Sequence, residues 1–163
     1  MENIQYFELS AAGPLLEQTE ILFVCMYKYM NEKGLLLPLV PGGEKMWSKS
    51  ILPMLGKFGV VWIAHNGKES IGFAQGMIKV LPNYLGGKKV GIISHIFVNS
   101  DMRQYGIGSE LVRKIEEWFV AKQVDSIELQ VLYQNENGRD FWDKIGYEYE
   151  VYQMRKFITG ASK

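Results

Sequence analysis

Apolar positions along this chain follow two different periods, and the switches between them mark its elements. Residues 4–9 (IQYFEL) predict a first strand. After Gly13-Pro14, the residues Leu15, Leu16, Thr19, Leu22, Phe23, Met26, Tyr27 and Met30 recur at helical spacing, which predicts an amphipathic helix facing a core. Cys25 lies on the apolar side of that helix and is expected to be buried with it. Residues 31–43 carry Gly34, Pro38, Pro41 and a glycine pair around LLLPLV. They read as an apolar loop, a feature that often lines a binding site, ahead of a second helix over residues 44–55. Residues 60–64 and 70–80 are rich in strand formers, and the Asn66-Gly67 turn between them predicts an antiparallel hairpin. Residues 90–98 (VGIISHIFV) are apolar on both faces, so that strand is expected to be central.

Farther on, Leu111, Val112, Ile115, Trp118 and Phe119 share one face of a helix of about 14 residues. Residues 126–133 alternate Ile127, Leu129, Val131 and Tyr133 against Glu128 and Gln130, a strand pattern. Strand, helix and strand in that order predict a right-handed crossover, with the strands at 90–98 and 126–133 parallel at one end of an otherwise antiparallel sheet. Residues 137–146 predict a short helix stopped by Gly146, and residues 147–157 alternate aromatic and charged side chains as a last strand. The expected class is α+β with one mixed sheet.

The length of 163 residues suits one domain over 1–163, and a hydrophobic fraction of 47% suits a packed globule. Lys plus Arg balance Asp plus Glu at 18 each, which leaves no electrostatic footprint for nucleic acid or an anionic membrane; neither is expected as a partner. The single cysteine rules out an internal disulfide. Met1-Glu2-Asn3 opens without a basic-then-apolar leader, so the expected location is cytoplasmic. The run ILFVCMYKYM holds Lys28 and is too short to span a bilayer.

The candidate chemistry begins at Gly106 and Gly108, at the junction of the strand at 90–98 and the following helix. The first amides of a helix lack intrahelical acceptors and sit at the positive end of its dipole, so amides from Gln104 to Ser109 suit a phosphate; a tight turn with no ligand suits the same residues. Other phosphate motifs fail: a dinucleotide fingerprint needs glycine at Leu111, and GGKKV lacks the Gly-Lys-Ser/Thr of a Walker loop.

The segment Arg103-Gln104-Tyr105-Gly106-Ile107-Gly108 resembles the acetyl-CoA loop of the GCN5-related N-acetyltransferase (GNAT) superfamily, Arg/Gln-x-x-Gly-x-Gly/Ala. Asn135, Gly138, Phe141-Trp142 and Gly146-Tyr147 resemble a second motif of that superfamily, in the right order. The resemblance implies a GNAT fold in which acetyl-CoA lies where the two parallel strands splay. Main-chain groups of Ile96, Phe97 and Val98 would pair with the pantetheine arm, the amides of Gln104, Tyr105, Gly106, Ile107, Gly108 and Ser109 would hold the pyrophosphate, and Asn135 would add a pantetheine contact. It further implies direct attack of a small-molecule or peptide amine on the thioester, with no metal. A homodimer is one assembly open to such a chain.

Many members of that superfamily carry a carboxylate base on the central strand; this chain has Ser94 and His95 there, and His95 is the candidate base, with a buried structural histidine as the other reading. Trp142 stands where the superfamily often has a proton-donating tyrosine, beside the expected thioester sulfur. An indole N–H donates a hydrogen bond but transfers no proton at neutral pH. Tyr133 is the substitute candidate acid. Leu35 to Val40, Trp47 and Tyr84 are candidate acceptor-pocket residues, with Glu32 or Glu44 to attract a cationic amine. Two functions follow: an active N-acetyltransferase, or an acyl-CoA-binding sensor of the same fold that has lost turnover.

Overall fold

The computed structural model describes residues 3–158. Its elements are β1 (Gln5–Glu8), α1 (Pro14–Glu32), α2 (Gly43–Ile51), β2 (Gly59–His65), β3 (Ser70–Val80), β4 (Lys89–Val98), α3 (Ile107–Ala121), β5 (Ser126–Leu129) and α4 (Glu136–Lys144). The five strands form one sheet in sequence order, antiparallel except for the parallel pair β4–β5. That is the mixed α+β sheet expected from the periodicity.

Strand alternation builds a core on each face. Val61 and Ile63 of β2 and Phe73 of β3 point to one side, where they meet Leu22, Phe23 and Met26 of α1 and Trp47 and Ile51 of α2. Val60, Ala64 and Ala74 point to the other side, against Leu111, Val112, Ile115 and Phe119 of α3 and Trp142 of α4. Glu20 of α1 is buried but takes hydrogen bonds from Lys45 and Ser48 of α2, which satisfies its carboxylate and joins the two helices.

A one-residue irregularity decides which way β4 faces. His95 pairs with Gln75, but the next β3 residue, Gly76, pairs with Ile93, so Ser94 is the extra residue of a bulge. Ile93 therefore faces α3, whereas His95 and Phe97, at the same parity, face α1 and α2. On the α3 side, Gly76 and Gly91 make room for the Phe119 ring. A Cβ at Gly91 would lie 2.7 Å from that ring, and one at Gly76 would lie 3.0 Å from it.

Four expectations change. The second helix ends at Ile51 and runs into a 3-10 turn, Leu52–Met54, because Pro53 brings no amide hydrogen. β5 stops at Leu129, short of Tyr133. Residues 147–157 form no strand; Tyr149, Val151, Tyr152 and Met154 stand exposed, and Gln130 Nε2 donates to Gln153 Oε1 at 2.9 Å. Strand propensity needs a partner edge, and a β5 of four residues offers little. Cys25 is exposed, because it sits roughly a third of a turn round α1 from the stripe of Leu22, Phe23 and Met26.

Replacing Gly91 with alanine should lower stability by about 1–3 kcal/mol, since the buried Phe119 ring must shift to admit a methyl group. Urea unfolding checks this: a midpoint equal to that of the parent would mean the ring is not confined there.

Candidate functional site

The parallel ladder runs from Val90↔Ser126 to Ile93↔Leu129 and ends there, while β4 continues along β3 to Val98. The bulge at Ser94 marks that point. Beyond it, among the described residues, the edge of β4 that would meet β5 has no strand beside it. Asn99 N donates to Ile71 O, so odd residues from 95 onward turn their main-chain groups toward β3, and Ile96 and Val98 turn theirs into the splay. Val98 O accepts from Arg103 Nε at 3.0 Å. The main chain of Phe97 faces β3 instead, and its side chain is in the first core.

The loop into α3 bends at Gln104 (φ 70°) and Gly106 (φ 78°), both left-handed. The glycine adopts that conformation without strain; the glutamine costs on the order of 1 kcal/mol. Among the described residues no backbone acceptor takes the amides of 104–109, while Glu110 N donates to Gly106 O. A run of free amides at the positive end of a 15-residue helix is an anion cradle. A Cβ at Gly108 would meet the Phe141 ring at 3.4 Å, an ordinary contact, so the fold itself leaves room for a side chain there.

Tyr29 of α1 ties the two walls of the splay together. Its hydroxyl donates to Asn135 Oδ1 at 3.1 Å, and its ring lies under the Arg103 guanidinium at 4.5 Å. Asn135 Oδ1 also caps α4 by accepting from Gly138 N at 3.2 Å, so both lone pairs are used and the amide Nδ2 is left as a donor.

His95 is half-buried among Phe23, Tyr27 and Trp47, with ring centroids 5.1, 6.4 and 6.4 Å away. Its Nδ1 lies 2.8 Å from Gln75 Oε1, and Trp47 Nε1 donates to that same oxygen at 2.9 Å. Indole N–H is only a donor, so the Gln75 atom it meets is the carbonyl oxygen. His95 Nδ1 must then carry the proton, and Nε2 keeps a free lone pair. Burial pushes the pKa of His95 down to about 4, so the ring is neutral at pH 7.

Trp142 is buried, with Phe141 4.9 Å and Tyr147 5.1 Å away by ring centroid. Burial, followed by the hydrogen bond to Glu116, raises the pKa of Tyr147. Tyr133 is 78% exposed beyond the end of β5, with the Arg139 guanidinium 5.1 Å over its ring. A cavity of about 680 Å³ opens between α1, the apolar loop and the start of α2; Tyr27, the neighbour of His95, lines it. Pro38, Leu39 and Val40 also line it, as do Glu32 and Glu44. Trp47 is committed to Gln75 instead, and Tyr84 is 84% exposed in the turn before β4. Gln75, Tyr29 and the Ser94 bulge escaped the sequence reading. Gln75 had a signal: it is a polar residue at a core-facing position of an apolar strand. Among the described residues no cluster of three His, Cys, Asp or Glu is placed to hold a metal ion, and no helix is long and apolar enough to cross a membrane.

The model of the acetyltransferase (GNAT) family matches residues 41–147. No curated protein sequence matches the chain. Among solved structures it is similar to the aminoglycoside N-acetyltransferase AAC(6')-Iy in complex with CoA, at 19% identity and a TM-score of 0.75, covering 94% of this chain and 95% of that one. It is also similar to a transcriptional regulator from Bacillus halodurans, at 20% identity and a TM-score of 0.73, covering 94% and 100%. A third likeness is to glucosamine-6-phosphate N-acetyltransferase from Arabidopsis thaliana, at 14% identity and a TM-score of 0.70, covering 97% and 100%. At these identities the likeness shows the fold.

Because the folded state holds His95 neutral down to about pH 4 while the unfolded chain protonates it near 6.5, the unfolded state binds more protons between those values. Stability should therefore rise from pH 4 to 6.5, by on the order of 3 kcal/mol from this group, and be complete above that window. Urea titrations at pH 4.5 and 7 on the parent and on His95→Gln check it; an equal pH slope in the two proteins would show that His95 is not desolvated.

Proposed function

The chain belongs to the acetyltransferase (GNAT) family, and on that premise we propose that it moves an acetyl group from acetyl-CoA to a primary amine by direct attack. The observation that carries this reading is the opened β4 edge at Ile96 and Val98 beside the free amides of 104–109. One surface suits an amide-bearing arm and the other a pyrophosphate, in the order in which CoA joins them. The residues fit the group: Ile96, Val98 and Asn135 Nδ2 would hold the arm, and Gln104 to Ser109 with Arg103 nearby would hold the phosphates. When bound, acetyl-CoA supplies an activated acyl thioester whose thiol, with a pKa of about 8.5, departs without a strong acid.

In this reading His95 Nε2 accepts the proton of the attacking amine, directly or through one water. Gln75 holds the tautomer that leaves Nε2 free, and Trp47 holds Gln75. A base of pKa about 4 is weak, so it takes the proton only as the nitrogen becomes positive during attack, when that proton is far more acidic. Splay-facing N–H groups of β4 are available to polarise the acyl oxygen. Trp142, enclosed by Phe141 and Tyr147, acts as an apolar wall, and exposed Tyr133 is the remaining candidate acid. An indole in place of a proton donor favours one second reading, an acyl-CoA sensor without turnover.

Acetyl-CoA at a hundredfold excess over its dissociation constant should stabilise the fold by about 2.7 kcal/mol, seen as a thermal shift. Gly108→Val should weaken binding with the apo fold retained; unchanged affinity would remove the loop from the site. In assays of CoA release, His95→Gln should lower kcat by about 10²-fold or more with the KM for acetyl-CoA unchanged. Trp142→Phe should retain most activity, whereas Tyr133→Phe should slow release if Tyr133 is the acid. Firm acetyl-CoA binding without turnover on any amine class would favour the sensor.

A further inference from the structure

Several residues between α1 and α2 are placed against their own local stability. Glu32 ends α1, where the helix dipole is negative and a carboxylate is unfavourable, and the adjacent C-cap cation, Lys33, has its ammonium 5.7 Å over the Tyr29 ring. Leu36, Leu37 and Val40 are 54%, 44% and 54% exposed on the loop that follows. Among the described residues neither Glu32 nor Glu44 is in an ion pair. Such local conflicts in an otherwise consistent fold point to a surface kept for a ligand.

Of these residues, Glu32, Val40 and Glu44 line the cavity of about 680 Å³, and the ring of Tyr27, which also lines it, has its centroid 6.4 Å from that of His95. Its walls are largely apolar, from Val24, Pro38, Leu39 and Val40, and its charged lining is Glu32, Glu44 and Lys28. Two carboxylates against one ammonium leave a single net negative charge, enough for one cation. An aminoglycoside brings several ammonium groups and a shell of hydroxyls, against which the cavity sets one net negative charge and, as neutral polar side chains, only Tyr27 and Asn31.

We propose that this cavity is the acceptor site and that it takes a primary monoamine on an apolar body, an arylalkylamine or alkylamine, with its ammonium drawn in by Glu32 and Glu44. The proposal rests on the acetyltransferase reading for its chemistry, but binding of the amine stands apart from turnover. The hydrocarbon body packs on Val40 and Leu39; the neutral fraction of the bound amine attacks, and His95 Nε2 takes the proton as that nitrogen becomes positive during attack. Because the attraction comes from partly exposed carboxylates, it weakens with salt.

Calorimetric titration of the protein with 2-phenylethylamine and with sisomicin, both in the presence of CoA, tests this. The monoamine should bind at least tenfold more tightly. Changing Glu32 and Glu44 together to glutamine should weaken it by about fivefold at low salt, and Val40→Ser should weaken it at any salt, with the acetyl-CoA thermal shift unchanged in both variants. Equal or tighter binding of sisomicin, no measurable binding of the monoamine, or variants with parental affinity would overturn the assignment. Loss of the acetyl-CoA shift in the parent, with monoamine binding as described, would instead overturn the acetyltransferase reading and leave the cavity assignment standing.

Discussion

The site depends on one interruption in backbone pairing. β4 and β5 hold together only as far as Ile93 and Leu129, and the bulge at Ser94 sits at that limit. A parallel pair continued to Val98 would consume the main-chain groups of Ile96 and Val98. The early end of that pair instead leaves the main-chain groups of Ile96 and the N–H of Val98 free, and the bulge, by inserting one residue, rotates His95 and Phe97 from the α3 face to the α1 face. The interruption thus opens the cleft, and a single extra residue supplies it with an imidazole.

Around that opening the chain leaves polar groups unpaired in some places and satisfies them fully in others. The amides of 104–109 are open, and Gln104 bears left-handed strain to keep them so. The imidazole is held on one side only: Trp47 Nε1 and His95 Nδ1 both donate to Gln75 Oε1, which fixes one tautomer and leaves Nε2 open, and burial keeps the ring neutral. Tyr29 adds rigidity across the walls through Asn135 and Arg103. The result is a preorganised cleft whose free groups point to where a ligand would lie.

Much of this is legible in the amino-acid sequence. Strand-forming runs at residues 60–64, 70–80 and 90–98, with helical spacing from Leu111 to Phe119, specified three strands and a crossover helix, because these patterns are dictated by burial on two faces. The glycines specified the loop, because the φ of 78° at residue 106 is one that glycine adopts without strain. What was not legible depends on partners distant in sequence. Residues 147–157 have strand composition but no edge to join, and Cys25 is near the apolar stripe of α1 but not on it. The bulge at Ser94 leaves no mark in composition, so the face to which His95 turns, and its bond with Gln75, were hidden until β3 and β4 were in register.

The central claim is that the unpaired amides of the splay and the loop are held open for acetyl-CoA. Residue-resolved amide hydrogen exchange, with and without acetyl-CoA, tests this most directly. The account predicts fast exchange in the free protein at Ile96, Val98 and residues 104–109, and slowing at that set when acetyl-CoA is added. If those amides exchange equally fast in both states while the protein binds acetyl-CoA elsewhere, the site described here is contradicted.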